Sequence, residues 1–237
     1  MNRTGNKAIV LAAGKGRRMN ADLPKQYIEV CGKPVLYYTL RVFENSPEVD
    51  EIILVTGPGD EAYCDKMFRE IYGFRKITKI TAGASERSGS VLNGLRATDP
   101  CEFVLIHDGA RPFVDEEIIS RNLETVRREG SAVTGMPVKD TIRICDADGK
   151  EVSTPDRSVT WMVQTPQTFP YDLIRNAYES MAIAGNTEGI TDDAMVASRF
   201  GGIRVAMTEG SYRNIKITSP EDLEWMAMYI KGGRENA

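Results

Sequence analysis

Short apolar runs alternate along this chain with longer stretches whose apolar residues fall at helical spacing. Ile9-Val10-Leu11, the segment Glu51–Thr56 and Phe103–Ile106 are continuous enough to read as buried strands, and Lys79–Thr81 reads as part of another. Between them, helices are predicted from Pro34 to Phe43, over about residues 60–72, over Glu86–Ala97 and over Asp115–Glu129. Pro34 is tolerated in a first helical turn, where its missing N–H leaves no bond unmade. Strands alternating with helices imply an α/β protein built on a mostly parallel sheet with helices on both faces.

Residues 139–160 break the rhythm. Thr141-Ile142-Arg143-Ile144 alternates polar and apolar, and Asp146-Ala147-Asp148-Gly149-Lys150 is rich in turn formers. This hairpin-like insert has too few apolar residues for a core of its own. It is either a solvated excursion or an arm that packs on a second subunit. The chain returns through Gln164–Phe169 to helices near 171–184 and 191–200, with Gly201 or Gly202 placed to end the latter. Ile203–Met207 resembles a further strand. The last helix starts at Ser219 as N-cap, with Pro220 in its first turn and Asp222 three after the cap. Leu223, Met226, Ala227 and Ile230 then share one face. The whole of residues 1–237 reads as a single domain with 139–160 inserted in it.

The first strand leads into the most distinctive chemistry. Its apolar run stops at Gly14 and Gly16, which let the backbone turn tightly and approach a ligand, and Arg17, Arg18 and Lys25 follow. A strand feeding a glycine loop with three cations suits a triphosphate: backbone N–H groups face the oxygens and the cations offset their charge. A dinucleotide fingerprint would want a third glycine where Met19 stands, and the spacing of a P-loop is missing. A glycine-rich turn beside solvated cations is the plainer alternative.

Composition narrows the partners. The chain has 237 residues, 41% hydrophobic and 27% charged, enough for one α/β domain with a sizeable core. A net charge of −4 gives no reason to expect nucleic acid or a membrane surface. No apolar run approaches spanning length, and residues 1–7 lack the apolar region of a signal peptide. Cys31, Cys64, Cys101 and Cys145 have no metal-ligand spacing, and with His107 the one histidine a zinc site is not expected. Free thiols in a reducing cytoplasm are expected. His107, between Ile106 and Asp108 at a strand end, reads as structural.

Ligands of parallel sheets bind outside the carboxyl ends of the strands. Asp108 lies at one such end and is either a Mg²⁺ ligand beside a triphosphate or a turn former. Gly83-Ala84-Ser85-Glu86-Arg87-Ser88-Gly89-Ser90 is a small-residue turn entering a helix. It either holds a base or sugar or simply starts that helix. Lys216 alternates with Ile215 and Ile217, so it is a solvated strand lysine or a phosphate ligand.

Together these pieces resemble the 2-C-methyl-D-erythritol 4-phosphate cytidylyltransferases of the non-mevalonate isoprenoid pathway. The resemblance runs through Ala12–Met19, Pro24–Tyr27, Glu86-Arg87 with Ser90-Val91, Ile106-His107-Asp108 with Ala110-Arg111-Pro112, and Asp140-Thr141. It continues through Thr165-Pro166-Gln167, Thr191-Asp192-Asp193-Ala194 and Asn214–Thr218. It implies a Rossmann-like nucleotidyltransferase fold, a homodimer, Mg²⁺, and transfer of CMP from CTP to the methylerythritol phosphate with release of pyrophosphate. By matching position it implies that Arg18 and Lys25 hold the triphosphate, with Lys216 a third catalytic cation, and that Asp108 binds Mg²⁺. Ala12, Ala13, Gly14, Gly16, Gly83 and Ser90 would surround the nucleotide. Arg111, Thr141, Arg157, Thr165 and Lys216 would hold the sugar phosphate, Thr141 and Arg157 reaching the other subunit's site from the arm.

Ala84 and Ser85 depart from the family pattern, in which glycine and, in some members, aspartate occupy these places. The nearest alternative is a cytidylyltransferase for another polyol phosphate such as ribitol 5-phosphate. It shares the loop, Pro24-Lys25-Gln26 and Thr165-Pro166-Gln167, while Thr154-Pro155-Asp156-Arg157 and Thr191–Ala194 resemble the methylerythritol enzymes more. An NAD-dependent dehydrogenase is disfavoured by Met19 and the extra cations. A nucleotide sensor without turnover is disfavoured by the joint presence of Lys25, Asp108 and Lys216.

Overall fold

The computed structural model describes residues 5–14, 23–185 and 187–235. Gly16 and Arg18, both expected at the triphosphate, lie outside the described residues. In chain order the strands begin with β1 (Asn6–Ala12), the short pair β2 (Glu29–Val30) and β3 (Lys33–Pro34), then β4 (Glu51–Thr56) and β5 (Ile77–Ala82). They continue with β6 (Phe103–Asp108), β7 (Ala132–Pro137), the arm pair β8 (Ile144–Cys145) and β9 (Glu151–Ser153), β10 (Trp161–Pro170) and β11 (Met207–Glu209). The helices are α1 (Val35–Asn45), α2 (Glu61–Cys64, extended by a π-helical stretch to Ile71), α3 (Arg87–Ala97), α4 (Glu116–Glu129), α5 (Tyr171–Ala184), α6 (Asp193–Gly201) and α7 (Pro220–Glu235).

Seven strands form one sheet in the order β11-β7-β10-β6-β1-β4-β5. Only β10 runs against its neighbours; the other pairings are parallel. All of β6 is buried, and all of β1 except Leu11, as expected of apolar runs covered on both faces. Alternation divides each run between two cores. Ala8, Val10, Leu54 and Leu105 meet Leu40, Phe43 and Leu123 of α1 and α4. Ile9, Ile53, Val104 and Ile106 meet Leu95, Ile174 and Tyr178 of α3 and α5. On the first face α1 presents Leu36, Leu40 and Phe43, all fully buried, from one stripe.

Three details depart from the sequence reading. β7 and β10 are strands that apolar periodicity does not announce, because both bury polar residues. Thr134, Gln167 and Thr168 are fully buried, and they are satisfied side chain by side chain. Asn122 donates to Thr134, Thr134 donates to the Pro166 carbonyl, Thr168 donates to Asn122, and Gln167 accepts from the Ala194 N–H. The strand expected over Ile203–Met207 begins only at Met207. Ala206 instead donates to the Ser131 hydroxyl, and the ladder with β7 starts at the next residue. Asn214–Thr218 is not a strand; Ile217 donates to the Ala110 carbonyl and lays this segment beside the end of β6.

The helix ends agree with expectation. Gly202 has φ 67° and closes α6 in the left-handed region. At the start of α7, Asp222 accepts from the Ser219 and Thr218 N–H groups. Met226 is buried with Ile217, and Leu223, Ala227 and Ile230 pack around them. Residues 139–160 do form a hairpin-bearing arm, and all of β8 and β9 is exposed.

Candidate active site

From β1 the chain winds outward through β4 to β5, then returns to the other side of β1 with β6. The order therefore reverses between β1 and β6, and a crevice opens at their carboxyl ends. A cavity of about 740 Å³ lies there. One wall is Leu11–Gly14, leaving β1; another is Asp108 and Ala110, leaving β6. Ala84–Arg87 and Ser90 close it from the turn into α3, and Lys25, Gln26 and Lys216 complete it.

Lys25 is placed by a single turn, Lys25–Tyr27, pinned on both sides. Gln26 is buried and donates to the Ala12 carbonyl at the end of β1. The Tyr27 hydroxyl meets Asp60 and the Cys64 thiol. Lys25 Nζ donates to the Ile217 carbonyl at 2.7 Å, next to Lys216. Two cations far apart in sequence thus stand at one cavity wall.

Asp108 is the carboxylate of the site. Lys216 Nζ lies 2.8 Å from its Oδ2, Arg87 Nε 3.1 Å from its Oδ1, and Arg111 Nε 3.9 Å from its Oδ2. Burial alone would raise its pKa; the three cations overcome burial and hold the carboxyl well below the usual carboxylate range. It is ionised at any pH at which the protein works.

Behind Asp108 sits a layer that fixes its backbone. The Asp108 N–H donates to the Thr165 hydroxyl at 3.0 Å, and that hydroxyl lies 3.0 Å from His107 Nδ1. His107 Nε2 lies 3.2 Å from the Arg111 carbonyl. A carbonyl can only accept, so Nε2 carries the proton and Nδ1 accepts from Thr165. Burial pushes the imidazole down to about 4, so it is neutral and structural, as its place in sequence suggested. Arg111 donates from Nη1 to the Asn214 carbonyl, while its buried Nε has no hydrogen-bond partner among the described residues.

The turn before α3 is shaped from inside. Ser90 accepts from the Ala84 N–H at 2.9 Å and donates to the Glu86 carbonyl at 3.0 Å. Gly83 donates to the Thr56 carbonyl. A Cβ on Gly83 would stand 2.4 Å from the Ala13 Cβ and 2.8 Å from Ser90 Oγ, so only glycine lets this turn lie against the end of β1. Ala84 has a negative φ and substitutes for glycine without strain, since Cys31 is the only non-glycine residue with positive φ among those described.

Of the residues singled out in sequence, Ala12, Ala13, Gly14, Lys25, Ser90, Asp108 and Lys216 all line this one cavity. Gly83 lies directly behind its wall, and Thr165 and Arg111 stand behind Asp108. Thr141 and Arg157 are exposed on the arm, where Arg157 donates to the Lys139 carbonyl. Sequence reasoning assigned no role to Arg87, Asp193 or Gln26, although all three fall in motifs that carry the family resemblance. Gln26 and Arg87 line the cavity and also bond the Ala12 carbonyl and Asp193, contacts that appear only in the fold.

Among the described residues no three metal-ligating side chains converge. Asp108, an ionised carboxylate on the cavity wall, nevertheless fits Mg²⁺, which typically takes one or two carboxylates and completes its shell from phosphate and water.

Comparison with known proteins agrees with the geometry. The family model IspD, 2-C-methyl-D-erythritol 4-phosphate cytidylyltransferase, matches residues 7–232. A Lachnospira eligens protein of that name is 46% identical over 229 residues, spanning 96% of this chain and all of the relative. One from Alkaliphilus oremlandii is 44% identical, covering 96% of this chain and 95% of its own. The crystal structure of the Anaerococcus prevotii 4-diphosphocytidyl-2C-methyl-D-erythritol synthase superposes with a TM-score of 0.83 at 35% identity, covering 97% of both chains. The Francisella tularensis cytidylyltransferase superposes with a TM-score of 0.80 at 28% identity, covering 94% of this chain and 98% of that one. All four are named for the methylerythritol product or substrate, and the ribitol 5-phosphate alternative is not favoured.

Proposed function

We propose a division of labour among the site residues from one premise: this chain belongs to the 2-C-methyl-D-erythritol 4-phosphate cytidylyltransferase family. It transfers CMP from CTP to 2-C-methyl-D-erythritol 4-phosphate in the non-mevalonate isoprenoid pathway, releasing pyrophosphate. The observation that carries the assignment of roles is the meeting of Lys25, Lys216 and Asp108 in one cavity beside the β1 turn.

The acceptor is a phosphate monoester, with a second pKa of about 6, so its attacking oxygen is already anionic near neutrality. No general base is required, in keeping with a single, buried and neutral histidine. What the reaction requires is in-line placement and neutralisation of charge on the α-phosphate and the departing pyrophosphate. Lys25 and Lys216 supply two cations at the cavity wall, and Arg18, outside the described residues, is by family position a third. Asp108 is the residue that would hold Mg²⁺. When bound, the ion adds positive charge where negative charge develops.

The nucleoside lies between the end of β1 (Ala12, Ala13, Gly14, with Gly16 beyond) and the Gly83–Ser90 turn. Ser90 contributes by holding the Ala84 backbone in place. Arg111 and Thr165 support the sugar-phosphate side from behind Asp108, Arg111 through its ion pair with that carboxylate and Thr165 through the Asp108 N–H. Thr141 and Arg157 serve the partner's site in a homodimer. This reading is supported by the arm's exposed apolar side chains: Ile144, Val152 and Val159 are 51%, 66% and 75% exposed in the single chain. The four free cysteines fit a cytoplasmic protein.

Mixing two inactive variants tests the shared site. Lys25→Ala and Arg157→Ala proteins, each nearly inactive, regain activity when their subunits exchange. Confirmed exchange without recovery would mean that each site is built from one chain.

A further inference from the structure

At the wall of the active-site cavity, the partly exposed Arg87 pairs with the buried Asp193, a contact that no step of the reaction uses. Asp193 is fully buried as the first residue of α6. Arg87, the first residue of α3, donates from Nη1 and Nη2 to its two carboxylate oxygens at 2.9 and 2.8 Å. The Tyr178 hydroxyl donates to Asp193 Oδ1 as well. The remaining guanidinium nitrogen, Nε, donates to Asp108 Oδ1 at 3.1 Å. We infer that Arg87 and Asp193 are positioning residues: the pair clamps one oxygen of Asp108, so that the other faces Lys216 and the cavity in a fixed orientation.

Three features carry this inference. The guanidinium is the one side chain whose planar donors can bind a carboxylate with two nitrogens and a second carboxylate with the third. Asp193 balances the charge of Arg87, so Arg87 grips Asp108 without adding a net cation to the pocket. Asp193 is itself built in. Asp192 caps α6 by accepting from the Met195 N–H, and Gln167 on β10 donates to Asp192 and accepts from Ala194. The orientation of Asp108 is therefore referred to α3, α6 and β10 together, and not to its own rotamer alone.

Arg87 also borders the cavity, so the rival role is direct contact with the triphosphate. The inference rests on reading Asp108 as the site's metal-binding carboxylate, and that reading has its own control: if Asp108→Asn keeps wild-type activity and Mg²⁺ requirement, the reading fails before the clamp is at issue. With Asp108 shown to be needed, the test is steady-state kinetics of Arg87→Lys and of a triple apolar replacement, Arg87→Met with Asp193→Leu and Tyr178→Phe. The triple variant leaves no unpaired buried charge, and such replacements commonly keep the fold. Ligand-free thermal melting verifies that it has. Mn²⁺ titration of the enzyme–CTP complex, followed by electron paramagnetic resonance, supplies a readout apart from turnover.

Expected is a fall in kcat of about 100-fold in a protein that melts cooperatively, with KM for CTP nearly unchanged and Mn²⁺ affinity weakened. Arg87→Lys should not rescue kcat, since an ammonium cannot span both carboxylates. A rise in KM for CTP with kcat and Mn²⁺ affinity retained would assign Arg87 to the triphosphate instead. Wild-type kcat in the folded triple variant would reduce the pair to a structural tie. Either result overturns the inference.

Discussion

Replacing Thr165 by valine removes one oxygen and keeps the side chain's shape. That oxygen accepts from the Asp108 N–H and donates to His107 Nδ1, each at 3.0 Å, in a layer where Thr165 is 4% and His107 0% exposed. In Thr165→Val both partners keep their places and lose their bonds. An unsatisfied buried polar group costs about 1–3 kcal/mol, and the added methyl returns about 1 kcal/mol or less. With two such groups the loss is about 2–6 kcal/mol, and the net destabilisation about 1–6 kcal/mol. Thr165→Ser keeps the hydroxyl and deletes a methyl, at about 1 kcal/mol. Urea unfolding of the ligand-free proteins at pH 7 measures both, with the m-value confirming that the native state is unchanged. If the valine protein is as stable as the serine protein, the hydroxyl is not holding Asp108 and His107, and the layer behind the site has been misread.

Three further outcomes are expected. Lys25→Ala lowers kcat far more than it raises KM for CTP, since a cation matched to the departing charge acts chiefly in the transition state; steady-state kinetics separate the two. Gly83→Ala pushes the turn off Ala13 and Ser90, with a loss of stability of about 1–3 kcal/mol and about a tenfold or larger fall in kcat/KM for CTP. Glu179, gripped by Arg96 and Arg175, has its carboxyl pulled down to about 2, the Arg96 hydrogen bond being the largest cause. A lowered carboxylate pKa stabilises the fold above the unfolded value of 4.5 and loses that contribution as pH falls toward 2. With Arg96 half exposed, solvent screening limits the effect to about 1 kcal/mol. Glu179→Gln should therefore be less stable than wild type at pH 7, with the gap closing as pH falls below 4.5 in urea titrations.

The parallel half of the sheet was legible because its strands are buried on both faces and therefore read as unbroken apolar runs: Glu51–Thr56 falls on β4 residue for residue. Helices with a strong cap and an apolar stripe, such as α4 and α7, were equally plain. β7 and β10 were not. Polar Thr134, Gln164, Thr165, Gln167 and Thr168 are buried among their apolar residues, and hydrogen-bonding partners for such residues arrive only with the tertiary fold. Ile203–Met207 misled for the converse reason: it has the strand pattern, but it meets β7 only at its end, where the Ala206 carbonyl accepts from the Val133 N–H and Met207 pairs with Val133.

At the site, sequence found many of the residues that line the cavity, because cations, glycines and a strand-end carboxylate carry recognisable chemistry. It gave no role to Gln26, Glu86 and Arg87, which line it too. Arg87 and Gln26 differ from any solvated arginine or glutamine only in what they touch, Asp193 and the Ala12 carbonyl. Neither contact is encoded locally. Ala12, Ala13 and Gly83 were named as surrounding the nucleotide through the family resemblance; what the fold adds is their tight approach, 2.4 Å between Ala13 and a Cβ that is not there.

Pyrophosphate release from CTP is the most direct measurement of the central claim, run with Mg²⁺ and with 2-C-methyl-D-erythritol 4-phosphate and ribitol 5-phosphate in parallel. The account predicts release with the methylerythritol phosphate, little with ribitol 5-phosphate, and loss of release in Asp108→Asn and Lys25→Ala. Release with ribitol 5-phosphate alone, or undiminished release in both variants, would contradict it.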